Sequence, residues 1–174
     1  MERSWNTDWR KSIIVLSGGF DPVHKGHLRM FREASWLGHH VIIGLNSDEW
    51  LSRKKGQPFM KFEERKEIIE GFKYVNQVVP FDDSDDSACD LIRRVHSIYD
   101  GDEFEYDYED AGHMGMVGYY QIYFANGGDR TSKNVPEMKV CKELDVTMLW
   151  GVGGGKIQSS SWLINGDKNG KKNG

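Results

Sequence analysis

Cysteine, long apolar runs and excess basic charge are all scarce in this sequence. It has 2 cysteines in 174 residues, and Cys89 and Cys141 stand apart, outside any spacing typical of a disulfide framework or a zinc site. No apolar run approaches the length of a membrane span, and the first residues lack the apolar stretch of a secretory signal. The net charge of -4 argues against a general nucleic-acid binder. We therefore expect a cytoplasmic protein that contacts neither membrane nor nucleic acid.

The residues that are present alternate between strand and helix patterns. Apolar, β-branched runs predict buried strands at residues 12–16, 40–45 and 119–125, and the segments VNQVVPF and VTMLW predict two more. Amphipathic segments predict helices between these strands, and the first helix is expected to end near Gly38. This order predicts right-handed β-α-β units, and hence an α/β fold with a doubly wound parallel sheet.

A single domain accounts for this pattern. We expect it to comprise residues 1–165, which is a length that can bury a substantial core. Residues 100–118 are strongly acidic and interrupt the alternation, so they are predicted to form an insertion loop. Residues 166–174 are basic and glycine-rich, which is typical of a disordered tail.

The segment GGFDPVHKGH, residues 18–27, directly follows the first predicted strand. Ligands of such folds bind outside the carboxyl ends of the strands, so this turn is the favoured position for a site. Its glycines allow backbone N–H groups to approach an anion, and the following helix directs its positive end to the same place. His24 and His27 lie at the helix start, where imidazoles can donate hydrogen bonds to phosphate oxygens.

A zinc site is the alternative interpretation of the two histidines. Zinc needs a third ligand and usually a fourth, and no further histidine or cysteine lies at a suitable spacing from His24 and His27. A phosphate site fits the turn better, so we expect no protein-bound metal.

The same turn resembles the H-x-G-H signature of the cytidylyltransferase-like nucleotidyltransferases. Other segments resemble this family in the same order: LGHHVIIGLNSDEW its second strand, RKKGQPFMKFEERKEII its basic loop and next helix, ANGGDRTSKNVPE its G-G-D loop, and IQSSSWLI its closing serine segment. The resemblance implies a Rossmann-like nucleotidyltransferase fold. Within the family, the segments look most like glycerol-3-phosphate cytidylyltransferases and heptose 1-phosphate adenylyltransferases.

The resemblance also implies a reaction. A nucleoside monophosphate would pass from CTP or ATP to a phosphorylated sugar or polyol, with release of pyrophosphate and without a covalent intermediate. Such chemistry depends on alignment and on positive charge near the phosphates. Mg²⁺ is expected to arrive with the nucleoside triphosphate. Relatives of this type are often dimeric, so a homodimer is one expected assembly.

Site residues follow from the matching positions. His24, His27 and Lys55 are expected to be catalytic, and Lys55 is favoured over Lys54 and Lys61 because it directly precedes a glycine. Arg65 is expected to hold the acceptor's phosphate in two-point geometry. The residues expected to bind the nucleotide are Gly19, Phe20, Asp21, Gly26, Asp129, Ser159, Ser160 and Ser161.

Three alternatives stay open at this point. The base is undecided, because glycerol-3-phosphate cytidylyltransferases carry an arginine just before the serine segment, where this chain has glycines and Lys156. The GGFDP turn equally resembles nicotinate mononucleotide and phosphopantetheine adenylyltransferases. A non-catalytic nucleotide-binding module is the third interpretation.

Overall fold

The computed structural model describes residues 10–105, 117–127 and 135–165. Strands and helices alternate there as the sequence predicts. The strands are β1 (Arg10–Gly18), β2 (His40–Leu45), β3 (Gln77–Pro80), β4 (Glu103–Glu105), β5 (Val117–Gly127) and β6 (Thr147–Val152). The helices are α1 (Lys25–Leu37), α2 (Asp48–Lys55), α3 (Phe62–Glu70), α4 (Cys89–Tyr99), α5 (Glu137–Glu143) and α6 (Ser160–Asn165).

The strands of the described segments form one six-stranded sheet. Its order is β3-β2-β1-β5, and both β4 and β6 pair with the outer edge of β5. Neighbouring strands are parallel except for β4, which pairs antiparallel with the beginning of β5. The predicted doubly wound parallel sheet is confirmed. Strand β4 lies within the predicted insertion, and the sequence pattern does not predict it.

Helices cover both faces of the sheet. Alternate side chains of β1 enter different cores: Ile13 and Val15 pack with helices α4 and α5, whereas Ile14 and Leu16 pack with α1 and α3. All four are at most 1% exposed. Burying a side chain of this size contributes about 1.5–3 kcal/mol to folding. The central strand is therefore fixed on both faces, and so is the turn that follows it.

Helix α2 differs from the predicted pattern, which places a basic loop after β2. The Ser47 side chain begins the helix by accepting the backbone N–H of Trp50 at 3.0 Å. Basic residues 53–55 lie in its last turn, where they complement the helix dipole. Gly56, with a φ of 89°, ends the helix. Lys55 is therefore held at the end of a helix rather than on a loop.

Some predictions fall outside the described part of the chain. They are most of the predicted insertion (residues 106–116), most of the segment with the G-G-D loop (residues 128–134) and the predicted tail (residues 166–174). Among the helices that are described, none is both long enough and apolar enough to cross a membrane.

Candidate active site

A cleft of about 350 Å³ opens at the carboxyl edge of the sheet, beyond the ends of β1 and β5. Strand β1 lies between β2 and β5, so the strand order changes direction here. Doubly wound folds bind ligands at such a point. The lining consists of residues 17–20, His24, Gly26, His27, Met30, Lys55, residues 125–127 and residues 152–161.

The two predicted histidines lie together in the cleft at the start of α1. Their rings stack with centroids 3.7 Å apart. His24 Nδ1 accepts the backbone N–H of Gly26 at 3.1 Å, and His27 Nδ1 accepts the backbone N–H of His24 at 3.3 Å. Because each Nδ1 accepts a hydrogen bond, each neutral ring carries its proton on Nε2. The two Nε2–H groups are therefore the imidazole donors that remain for a ligand.

Burial keeps this pair uncharged. It lowers the pKa of His27 to about 3, and the proximity of Lys55 and of a second protonatable ring, His24, acts in the same direction. Burial also lowers the pKa of His24. At neutral pH both imidazoles are therefore uncharged hydrogen-bond donors, and the positive charge of the cleft must come from other groups.

Close packing in the turn sets the orientation of the two rings. A Cβ atom at Gly26 would lie 3.0 Å from two atoms of the His24 ring, so any larger residue there would push the ring away from the helix start. Phe20 has a φ of 48°, a left-handed backbone conformation that is strained for a residue other than glycine. Its buried ring contacts the His27 ring edge-on, with centroids 4.9 Å apart.

The predicted serines line the cleft beside this turn. Ser160 is 8% exposed, and its Oγ donates to the backbone carbonyl of Pro22 at 2.9 Å. This bond ties the start of α6 to the histidine turn. Ser159 Oγ lies 3.1 Å from Ser161 Oγ and accepts the backbone N–H of Trp162 at 3.3 Å. Ser159 and Ser160 therefore have structural hydrogen bonds in addition to their place in the lining.

Among the three candidate lysines, Lys55 is the one in the lining. Its Nζ donates to the backbone carbonyl of Asp21 at 2.9 Å, and burial lowers its pKa. Lys54 instead pairs with Asp86 at 3.1 Å, and the Lys61 side chain is 80% exposed. The structure therefore places Lys55 with the histidines and leaves the other two lysines outside.

Asp21 is not part of the lining, although the sequence pattern predicts that it binds the nucleotide. Its side chain is 0% exposed. One carboxylate oxygen accepts the backbone N–H of Phe59 and the other that of Met60, each at 2.7 Å. Both oxygens hold the segment between α2 and α3, so this carboxylate is not offered to a ligand.

Arg65 is also withdrawn from the cleft, although the sequence pattern predicts a clamp on the acceptor's phosphate. Its side chain is 0% exposed. The guanidinium donates to Met60 O at 3.1 Å, Gly19 O at 2.8 Å, Asn46 O at 2.9 Å and Asp48 Oδ1 at 2.7 Å. It joins the loops around the cleft, so the predicted two-point contact with a phosphate does not fit this arrangement.

A model of the protein family described as Cytidylyltransferase-like matches residues 15–140. The chain belongs to this family. The matched range includes the histidine turn, helix α2 with Lys55 and helix α3 with Arg65, and it ends before the serine segment.

This cytidylyltransferase-like chain is similar to curated relatives over parts of their length. It is 38% identical to ethanolamine-phosphate cytidylyltransferase of Mus musculus over 73 residues, which are 42% of this chain and 18% of that protein. It is 28% identical to glycerol-3-phosphate cytidylyltransferase of Bacillus subtilis over 93 residues, which are 53% of this chain and 72% of that protein.

A solved structure supports the fold assignment. The bifunctional NMN adenylyltransferase/ADP ribose pyrophosphatase from Francisella tularensis superposes with a TM-score of 0.56. The match covers 89% of this chain and 42% of that chain, at 16% identity. A likeness at this level of identity shows the fold alone, and it agrees with the predicted Rossmann-like nucleotidyltransferase fold.

The described part of this family member contains no cluster of side chains suited to a metal ion. No three or more histidine, cysteine, aspartate or glutamate side chains come together there in a group that could hold one. The described lining also contains no carboxylate. Asp129, predicted to bind the nucleotide, lies outside the described residues.

The sequence-based prediction omits several residues at the β5 end of the cleft. Met30, Asn126 and Lys156 all contribute to the lining. Gly153 has a φ of 86° and passes so close to α1 that a Cβ atom there would lie 2.9 Å from Met30 Cα. The glycine run GVGGGK was the available signal for this loop, whereas no pattern distinguishes Asn126.

Proposed function

We propose that this chain is an enzyme that transfers a nucleoside monophosphate from CTP or ATP to a phosphorylated sugar or polyol and releases pyrophosphate. The stacked pair of His24 and His27 carries the proposal, because its two Nε2–H donors lie in a cleft at the start of a helix. That arrangement suits phosphate oxygens. Membership of the family and the likeness to two named cytidylyltransferases support this class of reaction.

The proposed reaction is a single in-line displacement. An oxygen of the acceptor's phosphate attacks the α-phosphorus, and the new P–O bond forms as the bond to the bridging oxygen of pyrophosphate breaks. The electron pair of that bond leaves with pyrophosphate. A phosphate monoester is largely a dianion at neutral pH, so its attack requires no general base. This agrees with the absence of a carboxylate from the described lining.

The side chains in the cleft would stabilise negative charge on the phosphates rather than form covalent bonds with them. His24 and His27 would donate to the phosphate oxygens on which negative charge increases, and Lys55 would add positive charge. Removing one donor that is already in position typically costs about 2.7–4 kcal/mol in the transition state. Their fixed positions matter, because Gly26 and Phe20 orient the imidazoles before any ligand binds.

Magnesium is the proposed cofactor. The described residues offer no protein cage for it, which is compatible with an ion held mainly by triphosphate oxygens and water. Magnesium bound in this way neutralises phosphate charge.

Pyrophosphate release tests the proposal directly. The four ribonucleoside triphosphates are assayed with Mg²⁺ against glycerol 3-phosphate, several sugar 1-phosphates, nicotinate mononucleotide and phosphopantetheine. We expect one combination of a nucleotide with a sugar or polyol phosphate to react. His27→Ala should lose about a hundredfold to a thousandfold in rate with an unchanged circular dichroism spectrum.

His39→Ala is the matched control for this assay. His39 Nδ1 also accepts a backbone N–H, from Ser12 at 3.0 Å, but at the opposite end of β1 from the cleft. It should retain parental activity. Activity of His27→Ala within a few fold of the parent would refute the assigned histidine role. Reaction only with nicotinate mononucleotide or phosphopantetheine would replace the proposed acceptor class, and absence of both turnover and triphosphate binding would overturn the enzyme assignment in favour of a non-catalytic module.

A further inference from the structure

Asn126 carries a buried hydrogen-bond donor that has no partner. Its side chain is 3% exposed, lies near the end of β5 and contributes to the cleft lining. Among the described residues, its Nδ2 is one of the buried side-chain atoms that make no hydrogen bond. An unpaired buried amide typically costs about 1–3 kcal/mol, and folded proteins seldom retain one without a reason. Glu137 Oε2 is also unpaired, but Glu137 lies outside the lining.

The position of Asn126 in the cleft indicates which part of a ligand it would meet. Phosphate-binding groups are concentrated at the start of α1, where the histidine pair and Lys55 lie. The β5 end is lined by residues 125–127, Met30 and the glycine loop 153–155, none of which carries a charged side chain. Two cations lie beside this loop: Lys156 follows it in the lining, and Arg29, which is not in the lining, packs against Gly154. A nucleoside triphosphate has one highly charged end and one uncharged end. Its base therefore fits the β5 end.

We propose that Asn126 reads the base of the nucleoside triphosphate, with Nδ2 donating a hydrogen bond to an acceptor ring nitrogen. This deepens the function proposed above and rests on it. Cytosine N3 and adenine N1 are acceptors on the Watson–Crick edge, whereas the corresponding positions of uracil and guanine carry N–H groups. A buried donor at this place favours CTP and ATP over UTP and GTP, because a donor facing an N–H group stays unpaired.

Binding measurements on Asn126→Leu test this assignment. Leucine has a similar shape but no donor. Calorimetry on the full chain gives Kd for the four nucleoside triphosphates, and inorganic tripolyphosphate serves as a probe without a base. We expect the parent to prefer CTP or ATP. Asn126→Leu should bind that nucleotide about tenfold more weakly or worse, which corresponds to one hydrogen bond of roughly 1.4 kcal/mol, with an unchanged Kd for tripolyphosphate.

Thermal stability provides a second readout that a purely structural role would move in the opposite direction. Asn126→Leu removes an unpaired buried donor, so its Tm should equal or exceed that of the parent. Asn46→Leu is the matched control, because Asn46 is also a buried asparagine but donates to Asp83 Oδ2 at 2.9 Å. Its Tm should fall by several degrees. If Asn126→Leu does not fold, Asn126→Ala is measured in the same way.

Each contrary result has a distinct meaning. An unchanged nucleotide Kd in Asn126→Leu, or an equal loss for tripolyphosphate, overturns the role of Asn126 while leaving the proposed function in place. A parent preference for UTP or GTP overturns it as well. The role is also overturned if Asn126→Leu and the parent bind the 2′-deoxynucleotide with equal Kd, because the ribose hydroxyl would then be the partner of Asn126. Failure of the parent to bind any triphosphate refutes the proposed function itself.

Discussion

The two halves of the sheet's carboxyl edge differ in whether every described buried polar side chain is paired, because on the β5 side Ser160 is paired with Pro22 O but Asn126 is not. On the β2 side, which comprises the ends of β2 and β3 with helices α2 and α3, buried groups are paired within the protein: Asn46 with Asp83, and Arg65 with Asp48 and three backbone carbonyls. On the β5 side, which comprises the end of β5 and residues 152–161, the buried Asn126 amide is unpaired.

This difference separates a supporting frame from a binding surface. Paired buried charges leave no hydrogen-bonding capacity for a ligand, but they fix the loops that carry them. Arg65 holds the carbonyl of Gly19, which lies directly in the cleft lining. The β2 side therefore positions the turn after β1, and the β5 side remains available for the nucleotide.

Arg65→Met should produce the largest effect on stability. Removing the guanidinium leaves three carbonyls without this donor and leaves Asp48 with only the exposed Lys61, whose Nζ lies 4.0 Å away. Breaking one partner of a buried ion pair costs about 3–5 kcal/mol. Because Asp48 is 24% exposed, we expect a loss of free energy of unfolding near the lower limit, about 3 kcal/mol. Denaturant unfolding measures this value.

Arg93→Met is the matched control for Arg65. The Arg93 side chain is 53% exposed and its Nη2 lies 3.9 Å from Glu143 Oε2, so its loss should cost less than about 1 kcal/mol. Equal stability of the two variants would contradict the supporting role of the β2 side. If Arg65→Met were as stable as the parent and lost only affinity for the acceptor, the result would support the sequence-based prediction that Arg65 holds the acceptor's phosphate.

Asp21→Asn should have an intermediate effect. An amide can accept one of the two backbone N–H groups of Phe59 and Met60, but it turns its own NH₂ towards the other. We expect a loss of about 1–3 kcal/mol in the free energy of unfolding. Asp82→Asn is the control, because that carboxylate is exposed, and its loss should stay within about 0.5 kcal/mol. Weaker nucleotide binding at unchanged stability would instead place Asp21 in the nucleotide site.

The sequence predicts the features that depend on local pattern. Strand β2 has the predicted bounds of residues 40–45, and helix α1 ends immediately before Gly38. The histidine turn directly follows β1, and in a parallel sheet the carboxyl ends of neighbouring strands meet at one edge, where ligands bind. In each case the decisive residues are neighbours along the chain, so periodicity and turn composition are sufficient.

The features that the sequence did not predict depend on distant partners. Arg65 lies on a short amphipathic helix, and the sequence of that helix alone predicts a side chain exposed to solvent. Its acceptors are instead 46 residues away at Gly19 and 19 residues away at Asn46. Helix α2 is an exception, because the residues that bound it, Ser47 and Gly56, are its direct neighbours, and its charged, weakly apolar sequence concealed this local signal. The unpaired amide of Asn126 has no counterpart in any local pattern.

Acid should destabilise the folded chain through His27, and above pH 6, where the loss stays below about 1 kcal/mol, this is the smallest of the expected effects. The ordinary pKa of histidine is 6.5, and burial lowers that of His27 to about 3. Between these values the unfolded chain binds a proton that the folded chain does not. The stabilisation from the neutral imidazole is therefore complete above pH 6.5 and is lost as the pH falls towards 3, with a slope that approaches about 1.4 kcal/mol per pH unit.

His27→Asn tests this origin of the acid sensitivity. The variant cannot bind the proton, so its free energy of unfolding should fall less steeply than that of the parent between pH 6.5 and 5, as urea unfolding at several pH values would measure. His39→Asn, which changes an exposed histidine, should follow the parent. Equal slopes for His27→Asn and the parent would mean that the imidazole binds its proton as readily in the folded protein as in the unfolded chain. The histidine pair would then become charged below pH 6.5 and attract phosphate by charge, as Lys55 does, in conflict with the neutral donor that its hydrogen bonds and burial indicate.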